Sequence, residues 1–199
     1  MGVHSLGHDE RNILMLKRTF EEDLRRAVAY HGHLCAGQMN GTRMARYALE
    51  YFGIEDPDTF RDLVVFVECD RCLADAVGTV TGCTMGRRRL KWMDYGKMAA
   101  TFFNMQTGEA IRLISTTERC TKDDDMFEWF GSRTDEQLFT LQHVKVSVDE
   151  QQLPGGPHSH AFCDRCGEEV TGGREVKRDG ETLCRSCADG GYYRIIDAD

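Results

Sequence analysis

Four cysteines near the C-terminal end have the spacing of a zinc site. Cys163 and Cys166 form one Cys-x-x-Cys pair, Cys184 and Cys187 form another, and seventeen residues separate the pairs. This spacing is typical of four-thiolate zinc fingers. Because four thiolates complete a tetrahedral shell, such a site is structural and leaves no open position for chemistry. The sequence therefore predicts a zinc ion in a treble-clef or zinc-ribbon module, with two disulfides as the alternative.

A second group of metal-binding side chains lies in the first quarter of the chain. His31, His33 and Cys35 place two imidazoles and a thiol within five residues. Because Cys35 is predicted to begin a helix, the helix dipole and the free amide groups would lower the pKa of its thiol. Imidazole nitrogens and thiolates both bind zinc, so these residues predict a metal site in the main domain.

Further thiols follow at a predicted strand-to-helix junction. Cys69, Cys72 and Asp75 lie at this junction, and Cys83 comes just after the helix. The leading hypothesis is a cleft site whose ligands are His33, Cys35, Cys72 and Cys83, with His31 and Asp75 as further ligands or outer partners. A mixed nitrogen and sulfur set suits zinc, with iron or nickel as alternatives, and fewer than four protein ligands would leave a position for water or substrate.

Cys69 and Cys72 also suggest a different chemistry. A Cys-x-x-Cys pair at the start of a helix resembles the redox pair of thioredoxin-type proteins, in which the helix N-terminus stabilises the thiolate. This alternative ranks second, because such a pair would not need His31, His33 or Cys83.

Two basic features are candidates for binding an anion. Lys97, which follows Gly96, could present its ammonium to an anionic ligand or intermediate, and with Cys35 it is our candidate for a catalytic residue. The alternative for Lys97 is a solvent-facing strand lysine. The run Arg87–Arg89 with Lys91 could hold a phosphate-bearing cofactor such as a pterin, although a charge run more often forms a solvated surface.

Hydrophobic periodicity predicts the elements that must position these side chains. Helices are predicted over residues 16–30, 35–52 and 70–80, with shorter ones over 121–130 and 134–141. Strands are predicted over residues 63–68, 97–104, 110–115 and 144–148. The acidic run Asp123–Asp125 would then lie in the first turn of a helix, where negative charge is favourable. These elements predict an α+β fold, with N-terminal helices packed on a mainly antiparallel sheet.

Residues 151–160 predict a domain boundary, because two prolines and two adjacent glycines favour an exposed connector. The predicted domains are therefore a metal-binding core over residues 1–150, a linker over 151–160 and the zinc module over 161–199.

Composition excludes some classes of function. The formal net charge of −8 argues against a general nucleic-acid binder, since non-specific affinity comes mainly from Lys and Arg on phosphates. No apolar run approaches the roughly 20 residues of a membrane-spanning helix. Charged residues interrupt the first twenty residues, so a signal-peptide core is not expected and the protein is predicted to be cytoplasmic.

Four segments, in the same order along the chain, resemble the FmdE (FwdE) family of formylmethanofuran dehydrogenase proteins. They are His-Gly-His-Leu-Cys-Ala-Gly-x-x-x-Gly-x-Arg at 31–43, Glu-Cys-Asp-Arg-Cys-Leu-Ala-Asp-Ala at 68–76, Thr-Gly-Cys-Thr-Met-Gly at 81–86 and Asp-Tyr-Gly-Lys-Met-Ala at 94–99. The resemblance spans most of residues 15–150. The chain departs from the family pattern at Cys69, where a small polar residue is expected, and at Arg87–Arg89.

The resemblance implies an α+β core that pairs as an intertwined homodimer, with a treble-clef finger after it. It also implies a cleft lined by the 31–35 and 81–84 segments, and metal binding more firmly than catalysis. The family name refers to an accessory component of a molybdenum or tungsten enzyme that reversibly forms formylmethanofuran from carbon dioxide. Partnership with such an oxidoreductase complex is therefore an expectation for this chain.

Three classes of function follow from these features. They are an enzyme or enzyme component in one-carbon or cofactor chemistry, a metal or cofactor carrier, and a thiol redox protein. Stably bound metal with an open position favours the first, exchangeable metal the second, and a reversible Cys69–Cys72 disulfide the third.

Overall fold

The computed structural model describes residues 16–116, 118–155 and 159–196. The chain divides into two units, Met1–Val146 and Ser147–Asp199. The second unit includes the segment predicted as a linker, where the backbone forms a 3-10 turn at Glu150–Gln152 and begins a strand at His160. No helix in the described ranges is long and apolar enough to cross a membrane.

The first unit places helices before and among the strands of one sheet. Its elements are α1 (Phe20–His31), α2 (Ala36–Phe52), β1 (Leu63–Val67), α3 (Cys72–Thr81), β2 (Leu90–Trp92), β3 (Ala99–Asn104), β4 (Glu109–Ser115), α4 (Met126–Gly131), α5 (Asp135–Leu138) and β5 (Phe139–His143). The sheet order is β2-β1-β3-β4-β5, in which only the β1–β2 pair is parallel. The predicted α+β fold with a mainly antiparallel sheet is confirmed.

Local capping determines where the first two helices begin and end. Thr19 and Glu22 form a reciprocal capping box at the start of α1. Gly32 ends α1 in the left-handed conformation at φ 99°, which glycine adopts without steric cost. Cys35 is the N-cap residue of α2, and its side chain does not cap the helix. Three residues of turn therefore separate His31 from Cys35.

Two predicted elements after residue 130 are wrong. The predicted helix over 134–141 ends at Leu138, and the chain continues directly as β5, so the strand predicted at 144–148 lies earlier, at Phe139–His143. Phe139 is buried and pairs with Ser115, while Leu141 pairs with Leu113. Pairing with β4 at buried positions outweighs the local helical pattern.

Other predicted boundaries shift by a few residues. The first short helix begins at Met126 rather than at 121, because the Asp125 side chain caps it by accepting from the amide of Glu128. The acidic run Asp123–Asp125 therefore precedes the helix. Likewise α3 begins at Cys72 with Arg71 as N-cap residue, rather than after a cap at Asp70. The strand predicted from Lys97 begins at Ala99, so Lys97 lies in the loop before β3.

The α2–α3 contact is close because glycines line it. A Cβ atom built at Gly41 would lie 2.7 Å from the Cβ of Ala76 and 2.7 Å from the backbone oxygen of Leu73. One turn earlier, a Cβ at Gly37 would lie 2.7 Å from the Cβ of Cys72. Glycine at these two positions lets the start of α3, with Cys72, approach the start of α2.

Substitution Gly41→Ala should therefore destabilise the first unit, although alanine is the better helix former. The added methyl group overlaps the backbone of α3, and relieving such an overlap in a packed core costs about 1–3 kcal/mol. Urea unfolding followed by circular dichroism measures the effect. Gly86→Ala is the matched control, because open space surrounds that glycine. Equal midpoints for the two variants would contradict the close contact.

The second unit consists of two hairpins and a short helix. Its elements are β6 (His160–Phe162), β7 (Glu169–Thr171), β8 (Val176–Arg178), β9 (Glu181–Leu183) and α6 (Arg185–Asp189). Strands β6 and β7 pair antiparallel, as do β8 and β9. The first cysteine pair lies in the turn between β6 and β7, and the second lies at the start of α6. Both hairpins therefore serve to bring the two pairs together.

Candidate functional site

Two groups of potential metal ligands are present in the described parts of the chain. The finger cluster is Cys163, Cys166, Cys184 and Cys187, and the His-His-Cys cluster is His31, His33 and Cys35. Within each group the candidate ligand atoms all lie within 4.8 Å of one another. Each group is therefore compact enough to surround a single metal ion.

The finger cluster has the chemistry of a four-thiolate zinc site. Backbone amides of Cys166 and Cys184 direct their hydrogens at the sulfur of Cys163 and lower its pKa to about 6. The adjoining sulfur of Cys184 raises the pKa of Cys187 to about 12. Four negative sulfurs cannot share this space without a cation, so the opposed shifts fit a site that loses protons when zinc binds. The group supports the predicted structural zinc.

The His-His-Cys cluster forms because the turn between α1 and α2 folds back on itself. The centroids of the His31 and His33 rings lie 4.6 Å apart. His33 is exposed, whereas His31 and Cys35 are half-buried. The cluster therefore opens to solvent on the side of His33.

Asp75 on α3 determines the orientation of His31. Its carboxylate oxygen Oδ2 lies 2.9 Å from Nδ1 of the imidazole. The other ring nitrogen, Nε2, is buried and has no hydrogen-bond partner among the described residues. Metal-binding histidines commonly donate one ring N–H to a carboxylate and ligate through the other nitrogen. The orphaned Nε2 therefore fits a metal ion, and Asp75 fits an outer partner rather than a ligand.

Cys72 lies at the edge of the His-His-Cys cluster. Burial raises the pKa of its thiol, and the neighbouring thiol of Cys35 raises it further. The side-chain amide of Gln38, which is fully buried, donates to the backbone oxygen of Cys72 at 2.8 Å. Gln38 thus ties the first turn of α3 to α2 and helps to place Cys72. Sequence reasoning missed Gln38, although a glutamine on the buried face of a predicted helix is a detectable signal.

Cys69 does not have the features of a thioredoxin-type nucleophile. Its side chain is 2% exposed. Burial raises the pKa of its thiol, and burial likewise raises that of Cys72. Because reactive cysteines are accessible and have lowered pKa values, this environment does not favour the redox alternative.

Cys83 is not part of the His-His-Cys cluster. Its thiol is 1% exposed and donates to the backbone oxygen of Leu63 at 3.4 Å, and burial raises its pKa. Cys83 does line the same cavity, of about 840 Å³, as Cys72 and His31. Residues from the two predicted cleft segments, 31–35 and 81–84, therefore line one cavity, but Cys83 does not join the His-His-Cys cluster.

The two basic features lie in different environments. Lys97 is exposed and lines a separate cavity of about 410 Å³, together with Cys120. Arg89 is 3% exposed and donates to the backbone oxygens of Phe60 and Gly82. Its guanidinium thus connects two loops of the fold, which corrects the prediction that the whole Arg87–Arg89 run is available to a phosphate group.

Comparisons with known proteins agree with this architecture. The family described as FmdE, molybdenum formylmethanofuran dehydrogenase operon, matches residues 30–149. The prokaryotic dksA/traR C4-type zinc finger matches residues 158–193. A solved tungsten formylmethanofuran dehydrogenase FmdE-like protein from Syntrophus aciditrophicus has a TM-score of 0.57 at 24% identity, covering 92% of this chain and 98% of that one. This structural similarity shows that the two proteins share a fold.

A curated relative is also similar along most of the chain. It is a probable S-adenosyl-L-methionine-binding protein from Archaeoglobus fulgidus, 30% identical over 206 aligned residues. The alignment covers 87% of this chain and 54% of the relative, so the chain spans about half the length of that protein. The FmdE match covers more than half of the present chain and agrees with the four motifs between residues 31 and 99. The chain therefore belongs to the FmdE family and carries a C4-type zinc finger at its C-terminal end.

Proposed function

We propose that this protein is a metal-binding accessory protein whose His-His-Cys cluster holds one transition-metal ion. The observation that carries the proposal is the buried Nε2 of His31, which has no partner in the described chain while Asp75 occupies Nδ1. His33 and Cys35 supply the other two ligands, and Cys72 is the nearest candidate for a fourth. Two nitrogens and one or two sulfurs favour zinc, with iron or nickel as alternatives.

The function of the site depends on whether Cys72 binds the metal ion as a fourth ligand. With Cys72 as a ligand the shell is closed, which suits a structural or storage role. With three protein ligands one position stays open to water or substrate, and a bound zinc ion would then supply a Lewis acid. Cys35 is a ligand in either case, so it is not a free nucleophile. Exposed His33 provides the route by which metal could exchange.

Metal content per chain tests the proposal. Wild-type protein purified without added metal should contain two metal ions, and His33→Ala should lose one while keeping the finger zinc. His143→Ala is the matched control, because that imidazole is exposed and lies beside Tyr51, away from the cluster. One metal ion in the wild type, lost only when the finger cysteines are replaced, would overturn the proposal.

Substitution Asp75→Asn should weaken metal binding at the His-His-Cys cluster about 10- to 100-fold, the usual effect of losing an outer carboxylate. The asparagine keeps the size of the side chain but removes the charge that orients and polarises His31. Competition with a chromophoric chelator measures the affinity. Asp70→Asn, at a carboxylate that is 70% exposed, should leave the affinity unchanged. Equal affinities for both variants would exclude the proposed role of Asp75.

A second candidate function is binding of S-adenosylmethionine in the 840 Å³ cavity. The Archaeoglobus relative supports it, and so do two exposed aromatic rings at this cavity, Tyr30 and Trp92. Aromatic faces stack on nucleobases and attract sulfonium or ammonium groups. Calorimetric titration of wild type and Trp92→Ala with S-adenosylmethionine tests this candidate. Absence of saturable binding to the wild type would dismiss it.

The family resemblance adds two proposals about assembly. They are an intertwined homodimer and association with a molybdenum or tungsten oxidoreductase. Light scattering after gel filtration tests the first, and a mass of one chain at micromolar concentration would contradict it. Co-purification of the tagged protein with a molybdenum- or tungsten-containing complex from its native cells tests the second.

A further inference from the structure

The 410 Å³ cavity next to α2 combines an apolar wall with a basic rim. Its apolar lining is Met98, Ile114, Trp129, Phe130 and Leu138. Trp129 and Phe130 pack edge to face with ring centroids 4.7 Å apart. Cavities of this volume and lining are typical of sites for small organic molecules.

The charged groups at this cavity favour a negatively charged ligand. Lys97 and Arg119 both line it, and neither forms an ion pair with another described residue. The Lys97 ammonium lies 5.7 Å from the centroid of the Tyr95 ring, a contact that leaves its charge available to an anion. Glu118 also lines it, but its carboxylate lies 3.6 Å from the guanidinium of Arg133. Two cations that have no ion pair in the described chain, beside one paired carboxylate, give this rim a net positive charge and match an anion better than a neutral molecule.

The first turn of α2 contributes to the same cavity through Ala36 and Gly37. The helix is 17 residues long, and its N-terminal end carries partial positive charge. The amides of Gln38 and Met39 donate to the backbone oxygen of Cys35, and its side chain does not cap the helix, so the amides of Ala36 and Gly37 remain available. The helix end therefore adds to the charge of Lys97 and Arg119.

We propose that this cavity binds a small organic carboxylate. Its hydrocarbon or aromatic body packs on Trp129 and Phe130, and its carboxylate binds Lys97 and Arg119, whose planar guanidinium can donate two hydrogen bonds. Because Ala36 and Gly37 directly follow Cys35, the bound carboxylate lies beside the segment that carries the His-His-Cys cluster. The proposal goes beyond the metal site and needs no metal ion in it.

Trp129 allows binding to be followed directly. The chain contains two tryptophans, so a Trp92→Phe background leaves Trp129 as the sole indole. Titration of this protein with hexanoate should give a saturable change in fluorescence with a Kd of about 1 mM. Hexanamide, which has the same shape without the charge, should bind about tenfold more weakly or not measurably. No saturation with hexanoate in the millimolar range, or equal affinity for the amide, would overturn the proposal.

Substitution Lys97→Met should weaken hexanoate binding about tenfold, and Arg119→Gln by a similar factor. Lys145→Met and Arg61→Gln are matched controls at exposed positions outside the cavity. His33→Ala separates this proposal from the metal site, because it should abolish metal binding and leave hexanoate binding intact. Loss of hexanoate binding in His33→Ala would instead show that the carboxylate binds the metal, which would contradict the proposal.

Discussion

Replacing Cys184 and Cys187 together by serine is expected to unfold residues 159–196 while the first unit stays folded. The described residues of the second unit form only a small hydrophobic core. Its buried apolar residues are Cys163, Leu183 and Cys184, with Val170, Cys187 and Ala188 partly buried against them. Structural zinc contributes about 10–16 kcal/mol to the folding of such modules. Without it, two hairpins of three-residue strands and one five-residue helix cannot offset the loss of chain entropy.

Replacement by serine removes the metal ligands but keeps a side chain that can cap the helix. The sulfur of Cys184 caps α6 by accepting from the amide of Cys187, and serine is a preferred N-cap residue. Amide dispersion in a ¹⁵N-correlated NMR spectrum, together with zinc content, measures the outcome. Cys120→Ser in the first unit is the control and should retain the full spectrum. A double variant with a dispersed finger spectrum would contradict the zinc assignment and the disulfide alternative alike, because serine removes the thiols that both require.

Substitution Asp23→Ala should cost the first unit about 3 kcal/mol of unfolding free energy, the lower end of the range for breaking a buried ion pair from one side. The carboxylate is 2% exposed and pairs with Arg18 at 2.5 Å and Arg46 at 2.6 Å. Removing it takes the buried charge partner from two largely buried guanidinium groups, which is the costly way to break a buried ion pair. Arg18 keeps only the half-exposed Asp58 at 2.6 Å, and Arg46 keeps only Glu50 at 3.9 Å. The same guanidiniums bind the backbone oxygens of Val80 and Arg18, so the loss disturbs contacts among all three helices of the N-terminal part.

Chemical unfolding in urea measures this cost. Asp70→Ala is the matched control, because its carboxylate is 70% exposed and lies 3.7 Å from an equally exposed Arg71, a pair worth about 0–1 kcal/mol. Loss of metal from the His-His-Cys cluster in Asp23→Ala, before global unfolding, would show that the network also holds the α1–α2 turn in place. A midpoint equal to that of Asp70→Ala would contradict the network's role in stability.

Local sequence was sufficient to predict elements whose ends depend on neighbouring residues. The end of α2 at Gly53 was predicted and follows from the left-handed glycine. The start of α4 was predicted five residues too early, at 121, although its Asp125 cap is also local. The finger was predictable for the same reason, since the ligand types and spacing of two Cys-x-x-Cys pairs specify a tetrahedral site. The grouping of His31, His33 and Cys35 is also local, because one short turn carries all three.

Strands whose position depends on pairing with strands far away in the sequence could not be predicted from the sequence alone. Strand β5 replaces a predicted helical segment because β4 offers paired, buried positions. Strand β2 pairs in parallel with β1 across the whole of α3, and its three residues carry too little pattern to be recognised. In both places tertiary pairing outweighs local propensity.

The sequence by itself determined the residue types of both groups of potential metal ligands, the family and the α+β class, because these depend on short-range spacing and on motifs. Only the tertiary structure decided which residues work together. It brought His31 to Asp75, 44 positions later in the chain. It placed the thiol of Cys83 in a hydrogen bond to a backbone oxygen, and it buried Arg89 between two loops. Each of these outcomes depends on tertiary packing: the first on contact between α1 and α3, and the other two on loops that meet beside β1.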